Sequence, residues 1–232
     1  MNKTALVTGA ASGIGQFAAL NLSKQGYHVI ALDRDYSEFP NNVEFLDIDL
    51  TNEENVIQLF DSIGKIDVAI NCAGVPCERK ELTEFTQSEI AAQWGDNFLA
   101  AFNPLKQEIL KMRKSGGGKI INISSITALR GLKSMASYSI GKASITALTR
   151  VAAIENAPYN IHINSISPAT IDTPMIRKKY NGKKRDYSNV YYTGDCGLPK
   201  DVYTAITMFI ENNFLTGHDL RLDGGLTDLC QI

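Results

Sequence analysis

Tyr138 and Lys142 lie four residues apart in Ser137-Tyr138-Ser139-Ile140-Gly141-Lys142-Ala143. On a helix that spacing places both side chains on one face, one turn apart. A phenol with an unperturbed pKa of about 10 exchanges protons poorly near neutrality. A neighbouring ammonium stabilises the phenolate and brings proton transfer into the working range. Such a pair is frequent by chance, and two other features give it weight. One is the glycine turn Thr8-Gly9-Ala10-Ala11-Ser12-Gly13-Ile14-Gly15; the other is Ser125, thirteen residues before the tyrosine.

The turn follows a β-rich run and precedes a helical one, the context in which glycines serve a dinucleotide. Gly9, Gly13 and Gly15 permit a tight turn and close backbone approach to a diphosphate. The following helix aims its free N–H groups and positive dipole end at the anion. Asp33 ends the second strand, eighteen residues after Gly15. Its carboxylate suits two ribose hydroxyls and repels a 2′-phosphate, which favours NAD. The adjacent Arg34 competes by offering a partner to that phosphate, so NADP stays open.

Together the turn, the serine and the Tyr/Lys pair resemble the short-chain dehydrogenase/reductase family, from residue 3 to about residue 225. The resemblance implies hydride transfer between a nicotinamide and a substrate carbon. Tyr138 would be the general acid or base, and Lys142 would tune it and hold the nicotinamide ribose. Ser125 would polarise the reacting carbonyl, and Asn97 would anchor a proton-relay water. Ser12 is neutral where NADP-preferring members often carry a basic residue. Asp49-Leu50 matches the adenine-contacting position, and Ile14 belongs to the diphosphate turn. Asn71-Cys72-Ala73-Gly74 resembles Asn-Asn-Ala-Gly, with Cys72 replacing the second asparagine. Pro168-Ala169-Thr170-Ile171-Asp172-Thr173 resembles Pro-Gly-x-x-x-Thr, so Pro168, Ile171 and Thr173 would meet the nicotinamide. Alanine at 169 would be strained if the backbone needed a positive φ there.

Positioning these residues requires alternating strands and helices. Strands are expected at Thr4–Thr8, 28–32, 43–48, 66–71, 119–123, 161–166 and Asp219–Leu222, with helices at 14–25, 88–114, 137–155 and after Pro199. Thr51-Asn52-Glu53-Glu54 has capping-box form, with Thr51 as N-cap of a further helix. Continuous apolar strands between helices predict a doubly wound, Rossmann-like α/β fold: a parallel seven-stranded sheet with helices on both faces. No repeat or linker divides residues 1–232, so one domain is expected. Pro104 inside the 88–114 helix predicts a kink near 100–104.

The 232 residues carry 44% hydrophobic and 21% charged side chains and a net charge of −2. That is ordinary soluble composition with no basic footprint for nucleic acid. No apolar run reaches a membrane span, and no signal peptide is evident, so a cytoplasmic protein is expected. Cys72, Cys77, Cys196 and Cys230, and His28, His162 and His218, lack metal-ligand spacing, so free thiols and no metal are expected.

By resemblance, stretches 75–80, 126–135 and 171–197 wall a substrate pocket, the last as a mobile lid. Its basic run of Arg177, Lys178, Lys179, Lys183, Lys184 and Arg185 is either a solvated surface or an attractor for an anionic substrate. Arg79, Arg130 and Lys133 would assist the second role. The resemblance also implies a homotetramer or dimer. The expected activity is an NAD-dependent interconversion of a secondary alcohol and a ketone. Alternatives are an NADPH-dependent 3-oxoacyl-carrier-protein reductase and a non-catalytic dinucleotide-sensing regulator. The retained Tyr/Lys pair weighs against the sensor, and Asp33 against the NADPH enzyme. A sugar-nucleotide epimerase needs a larger C-terminal domain, and a methyltransferase has no use for Tyr138 and Lys142.

Overall fold

A computed structural model describes residues 3–179 and 185–227. Seven strands form one wholly parallel sheet in the order β3-β2-β1-β4-β5-β6-β7. They are β1 (Thr4–Thr8), β2 (His28–Asp33), β3 (Val43–Asp47), β4 (Val68–Asn71), β5 (Gly118–Ile123), β6 (Ile161–Pro168) and β7 (Asp219–Leu222). Helices α1 (Gly13–Lys24), α2 (Glu53–Ser62), α3 (Gln87–Trp94), α4 (Ala100–Ser115), α5 (Ala136–Asn156), α6 (Pro174–Lys179) and α7 (Pro199–Glu211) connect them. Among the described residues no helix is long and apolar enough to cross a membrane.

Strand periodicity divides the core into two layers. Ala5 and Val7 face one side and pack with Ala18 and Leu22 of α1 and Val202, Ile206 and Phe209 of α7. Leu6 faces the other and packs with Val56 and Phe60 of α2, Leu105 and Met112 of α4 and Ala152 of α5. Phe60 and Phe209 are each about 1% exposed, one in each layer. Burial of such a ring stabilises by about 2–3 kcal/mol. Strand order reverses between β1 and β4, which opens a crevice beyond their C-terminal ends.

Two local expectations need correction. Asn52, not Thr51, caps α2: its side chain accepts from the Asn55 N–H, while the Thr51 hydroxyl donates to Asp49. The threonine is diverted by the nearer carboxylate. The irregularity expected at 100–104 lies one turn earlier, as a π-helical turn over Gly95–Leu99, and α4 runs through Pro104 unbroken. A proline ring clashes with the turn before it, so the distortion belongs on its N-terminal side.

Candidate active site

A cleft of about 620 Å³ follows the C-terminal ends of the central strands. Every catalytic or cofactor residue singled out from the sequence lines it except Asn71 and Asn97, whereas Arg79, Arg130, Lys133 and Arg177 do not.

The floor is built by close backbone approach. Gly9 has φ +65°, and a Cβ there would stand 2.8 Å from the Ala73 amide nitrogen. A Cβ on Gly15 would collide with the Gly9 carbonyl. Thr8, which is completely buried, fixes the same approach: its hydroxyl oxygen accepts from the N–H groups of Cys72 (3.1 Å) and Ala73 (3.2 Å). Ser12 caps α1 without a side-chain hydrogen bond, whereas Asn52 and Thr86 close their helices with theirs. The α1 amides therefore keep their capacity for an anion in the cleft. Asp33 Oδ2 accepts from the Ala11 N–H (2.9 Å), and Oδ1 accepts from those of Arg34 (2.8 Å) and Asp35 (3.1 Å). Arg34 turns toward Asp96, at 3.8 Å. Thr51 bonds hold the Asp49 carboxyl below its ordinary range. A glycine cradle, an unsatisfied helix start and a carboxylate one strand away fit the diphosphate and ribose of a dinucleotide.

At the other end of the cleft stand the groups able to move a proton. Ser125 follows β5, and its hydroxyl hydrogen-bonds the Tyr138 phenol. Lys142 Nζ lies 5.7 Å from the Tyr138 ring centroid and donates to the Ile123 carbonyl at 2.9 Å. Burial pushes Tyr138 up to about 12, the Cys77 thiol adds to this, and the Ser125 bond opposes it. The lysine is not among the causes of that shift, because a lysine titrating near 8 has lost its charge before a phenol at about 12 ionises. Burial also pulls Lys142 down to about 8, with Cys72 opposing.

Asn97 is fully buried within the π turn. Its Oδ1 accepts from the Val75 N–H (3.2 Å), and its Nδ2 donates to the Gln93 carbonyl (3.1 Å). A Cβ on Gly74 would stand 2.8 Å from Asn97 Oδ1 and 3.3 Å from Lys142 Nζ. The missing side chain therefore leaves the amide and the ammonium side by side. Asn71 faces the α4–α5 layer beneath the cleft, where its Nδ2 donates to Glu108 and Asn122. Ala169 keeps an ordinary negative φ and donates to the Leu222 carbonyl at 2.9 Å, so alanine is unstrained there.

On the outer walls, Arg177 forks onto Asp172 at 2.8 and 2.9 Å, Lys133 meets Glu81, and Arg130 donates to the Leu226 carbonyl. Tyr187 and Tyr191 are buried, and Tyr191 Oη accepts from the Thr170 N–H. An isolated bridge joins Ile171 to Gly197 across the base of the 171–197 segment. Lys183, Lys184 and Cys230 lie outside the described residues. Thr8 and Cys72 were missed as site residues, whereas Lys178 was named only as part of the basic run. Thr8 was legible as the hydroxyl heading the turn, whereas Cys72 reaches the cleft through tertiary placement.

Comparison with known proteins agrees with this geometry. The family model for short chain dehydrogenase matches residues 3–184. An NAD-dependent glycerol dehydrogenase from Listeria innocua is 33% identical, covering 97% of this chain and 94% of that protein. The structure of ElxO with NADP bound is 31% identical, covering 99% and 100% of the two chains, with a TM-score of 0.90. Thermoplasma acidophilum aldohexose dehydrogenase is 28% identical with a TM-score of 0.92, covering 100% and 96%. With the sheet order, the glycine cradle and the Ser125–Tyr138–Lys142 cluster in place, the chain belongs to the short-chain dehydrogenase/reductase family and is an oxidoreductase of CH–OH groups.

Proposed function

We propose that the protein interconverts a secondary alcohol and a ketone with NAD(H), using Tyr138 as the proton-transfer group. The observation that carries this reading is the convergence of Ser125, Tyr138 and Lys142 on the cleft floored by the glycine turn. A bound nicotinamide dinucleotide supplies the hydride acceptor or donor. The chain supplies the rest. Its buried phenol is protonated at neutral pH and so holds the proton that a ketone oxygen needs, while the nearby Lys142 ammonium offsets the burial that raises it to about 12. Ser125 donates a hydrogen bond to that same oxygen as charge develops on it. Lys142 resupplies positive charge beside the phenol, and Asn97 holds the Val75 backbone against it.

Asp33 at the end of β2 supports NAD over NADP, since a 2′-phosphate would meet its carboxylate. Arg34, engaged by Asp96, is not free to offset that repulsion without giving up its partner. The glycerol dehydrogenase relative is NAD-dependent, whereas ElxO was seen with NADP. A neutral carbonyl substrate suits the outer walls, where Arg177 and Lys133 are bound to acids. The 171–197 segment serves as a lid on this substrate within a single domain. Val151 and Ile154 are 54% and 77% exposed on the outer face of α5, which supports a homo-oligomer.

The test is NADH oxidation against a panel of neutral and acidic ketones, repeated with NADPH and with Tyr138→Phe. The expected result is turnover that prefers NADH and falls by about 10²–10⁴ in the variant. Turnover unaffected by the variant would refute the reading, and preference for acidic ketones would assign Lys178 a substrate role.

A further inference from the structure

Beneath the site lies a buried polar chain that crosses four elements. The Thr149 hydroxyl of α5 donates to the Ile145 carbonyl at 2.8 Å. Its oxygen is then an acceptor, and Asn122 Nδ2 of β5 donates to it at 2.9 Å. Asn122 must therefore turn its Oδ1 toward β4, where Asn71 Nδ2 meets it at 3.0 Å. The same nitrogen donates to Glu108 Oε2 of α4 at 3.0 Å. Hydrogen-bond direction along the chain thus fixes both amide orientations.

Two oxygens are left over. Asn71 Oδ1 and Glu108 Oε1 are both buried without a hydrogen-bond partner. They belong to groups already joined by one hydrogen bond. With the carboxylate ionised, both leftover oxygens would be acceptors and neither would have a donor. One proton on Oε1 makes it the donor that Asn71 Oδ1 lacks, closing an acid–amide pair with two antiparallel hydrogen bonds.

We infer that Glu108 is a positioning residue, held as the neutral acid and paired through its proton with Asn71, so that it sets the backbone of β4 and β5 where they enter the active site. Asn71 directly precedes Cys72, Ala73 and Gly74 in the cleft. Asn122 directly precedes Ile123, whose carbonyl receives Lys142. Loss of the proton sets two acceptors against each other and displaces the strand ends that carry these groups. Glu108 is completely buried, and burial raises its carboxyl to about 8, opposed by the Asn71 bond.

The groups that meet the carboxyl are neutral. The charged groups of the surrounding elements are engaged elsewhere: Lys106 of α4 with Glu53 of α2, Lys111 with the Ile63 carbonyl and Arg113 with Asn156. Lys142 of α5 holds the Ile123 carbonyl and Lys119 of β5 the Asn212 carbonyl. No charge from these elements, nor His162 of β6, contributes to the shift of Glu108.

The link to the active site rests on the functional reading above; the proton itself can be tested without substrate. Infrared difference spectra between the wild-type protein and Glu108→Gln at pH 6 should show a protonated carboxyl stretch in the wild type. That band should vanish as pH rises through about 8. A carboxylate signal at pH 6 would overturn the assignment. NADH affinity, read by fluorescence between pH 6 and 9.5, tests the positioning. The wild type should weaken several-fold on the alkaline side. Glu108→Gln, which offers a permanent N–H to Asn71 and an oxygen to its Nδ2, should weaken clearly less, keeping only the part due to Lys142, which also loses its charge near 8. Glu108→Ala should bind weakly throughout. Equal alkaline weakening in wild type and Glu108→Gln would overturn the positioning role even if the proton is present. If the dehydrogenase reading failed instead, the infrared band would persist while NADH did not bind at any pH.

Discussion

Lys142 shows how far a reactive side chain departs from what its type suggests. Its ammonium is 3% exposed and its proton affinity is lowered to about 8, so the folded protein holds that charge at a cost. Lys142→Met should abolish turnover and raise the melting temperature by about 2–4 °C at pH 7, read by calorimetry. An unchanged or lower melting temperature would mean that the Ile123 contact outweighs the burial cost. Ser125 should behave differently. Its hydroxyl acts on the phenol and on the reacting oxygen, so Ser125→Ala should lower kcat by about 10²-fold with little change in cofactor affinity. Types and spacing made Tyr138, Lys142 and Ser125 legible in the chain. The protonation balance between them was not, because it depends on burial and on the thiols that the fold brings near.

At the scale of elements, the π turn over Gly95–Leu99 and the loop after β4 form one device. Gly74 lacks the Cβ that would press on Asn97 Oδ1, and Gly141 of α5 makes room for the Asn97 Cβ in the same way. Gly74→Ala should push Asn97 off the Val75 N–H and crowd Lys142. The expected outcome is about tenfold lower kcat/KM with an intact far-ultraviolet spectrum, near the 1.4 kcal/mol that a displaced hydrogen bond costs. Full activity in the variant would show that Asn97 has space to yield. Helix periodicity foresaw one long helix from 88 to 114 and a defect from Pro104. The defect falls one turn before the proline, and the Asn97 it carries packs against Gly74 and Gly141, contacts that join residues far apart in sequence.

Over the whole molecule, buried and bonded titrating groups shape stability against pH. Hydrogen bonds and Lys65 hold Asp67 below its ordinary 3.8, and bonds to Thr227 and Gly225 do the same for Asp223 against burial. Their stabilisation is present above the unfolded pKa and is lost as pH falls. Glu108 acts in the opposite direction: between 4.5 and about 8 the native state keeps a proton that the unfolded chain releases. Stability therefore declines over that interval, by up to about 1.4 kcal/mol per pH unit. Lys142 reverses the slope between about 8 and 9, where the unfolded chain holds the extra proton; above 9 the buried Cys72 thiol, pushed up to about 12, cancels it. Melting temperature should peak near about pH 5 and fall toward pH 8. Glu108→Gln should flatten the fall. A wild-type maximum at pH 7 or above would contradict this balance.

The chain by itself determined the parallel α/β architecture, because strand runs apolar on both faces alternate with amphipathic helices and admit few other layerings. It also determined the glycine turn, Asp33 and the Tyr138–Lys142 pair, since each depends on local spacing along one turn or one helix face. Tertiary structure alone decided that Asn71 turns into the α4–α5 layer to meet Glu108, that Thr8 clamps the loop after β4, and that Arg177 is bound by Asp172. Those contacts form across strands and between distant loops. Burial and pairing there depend on which surfaces the fold brings together, and residue type alone does not encode that.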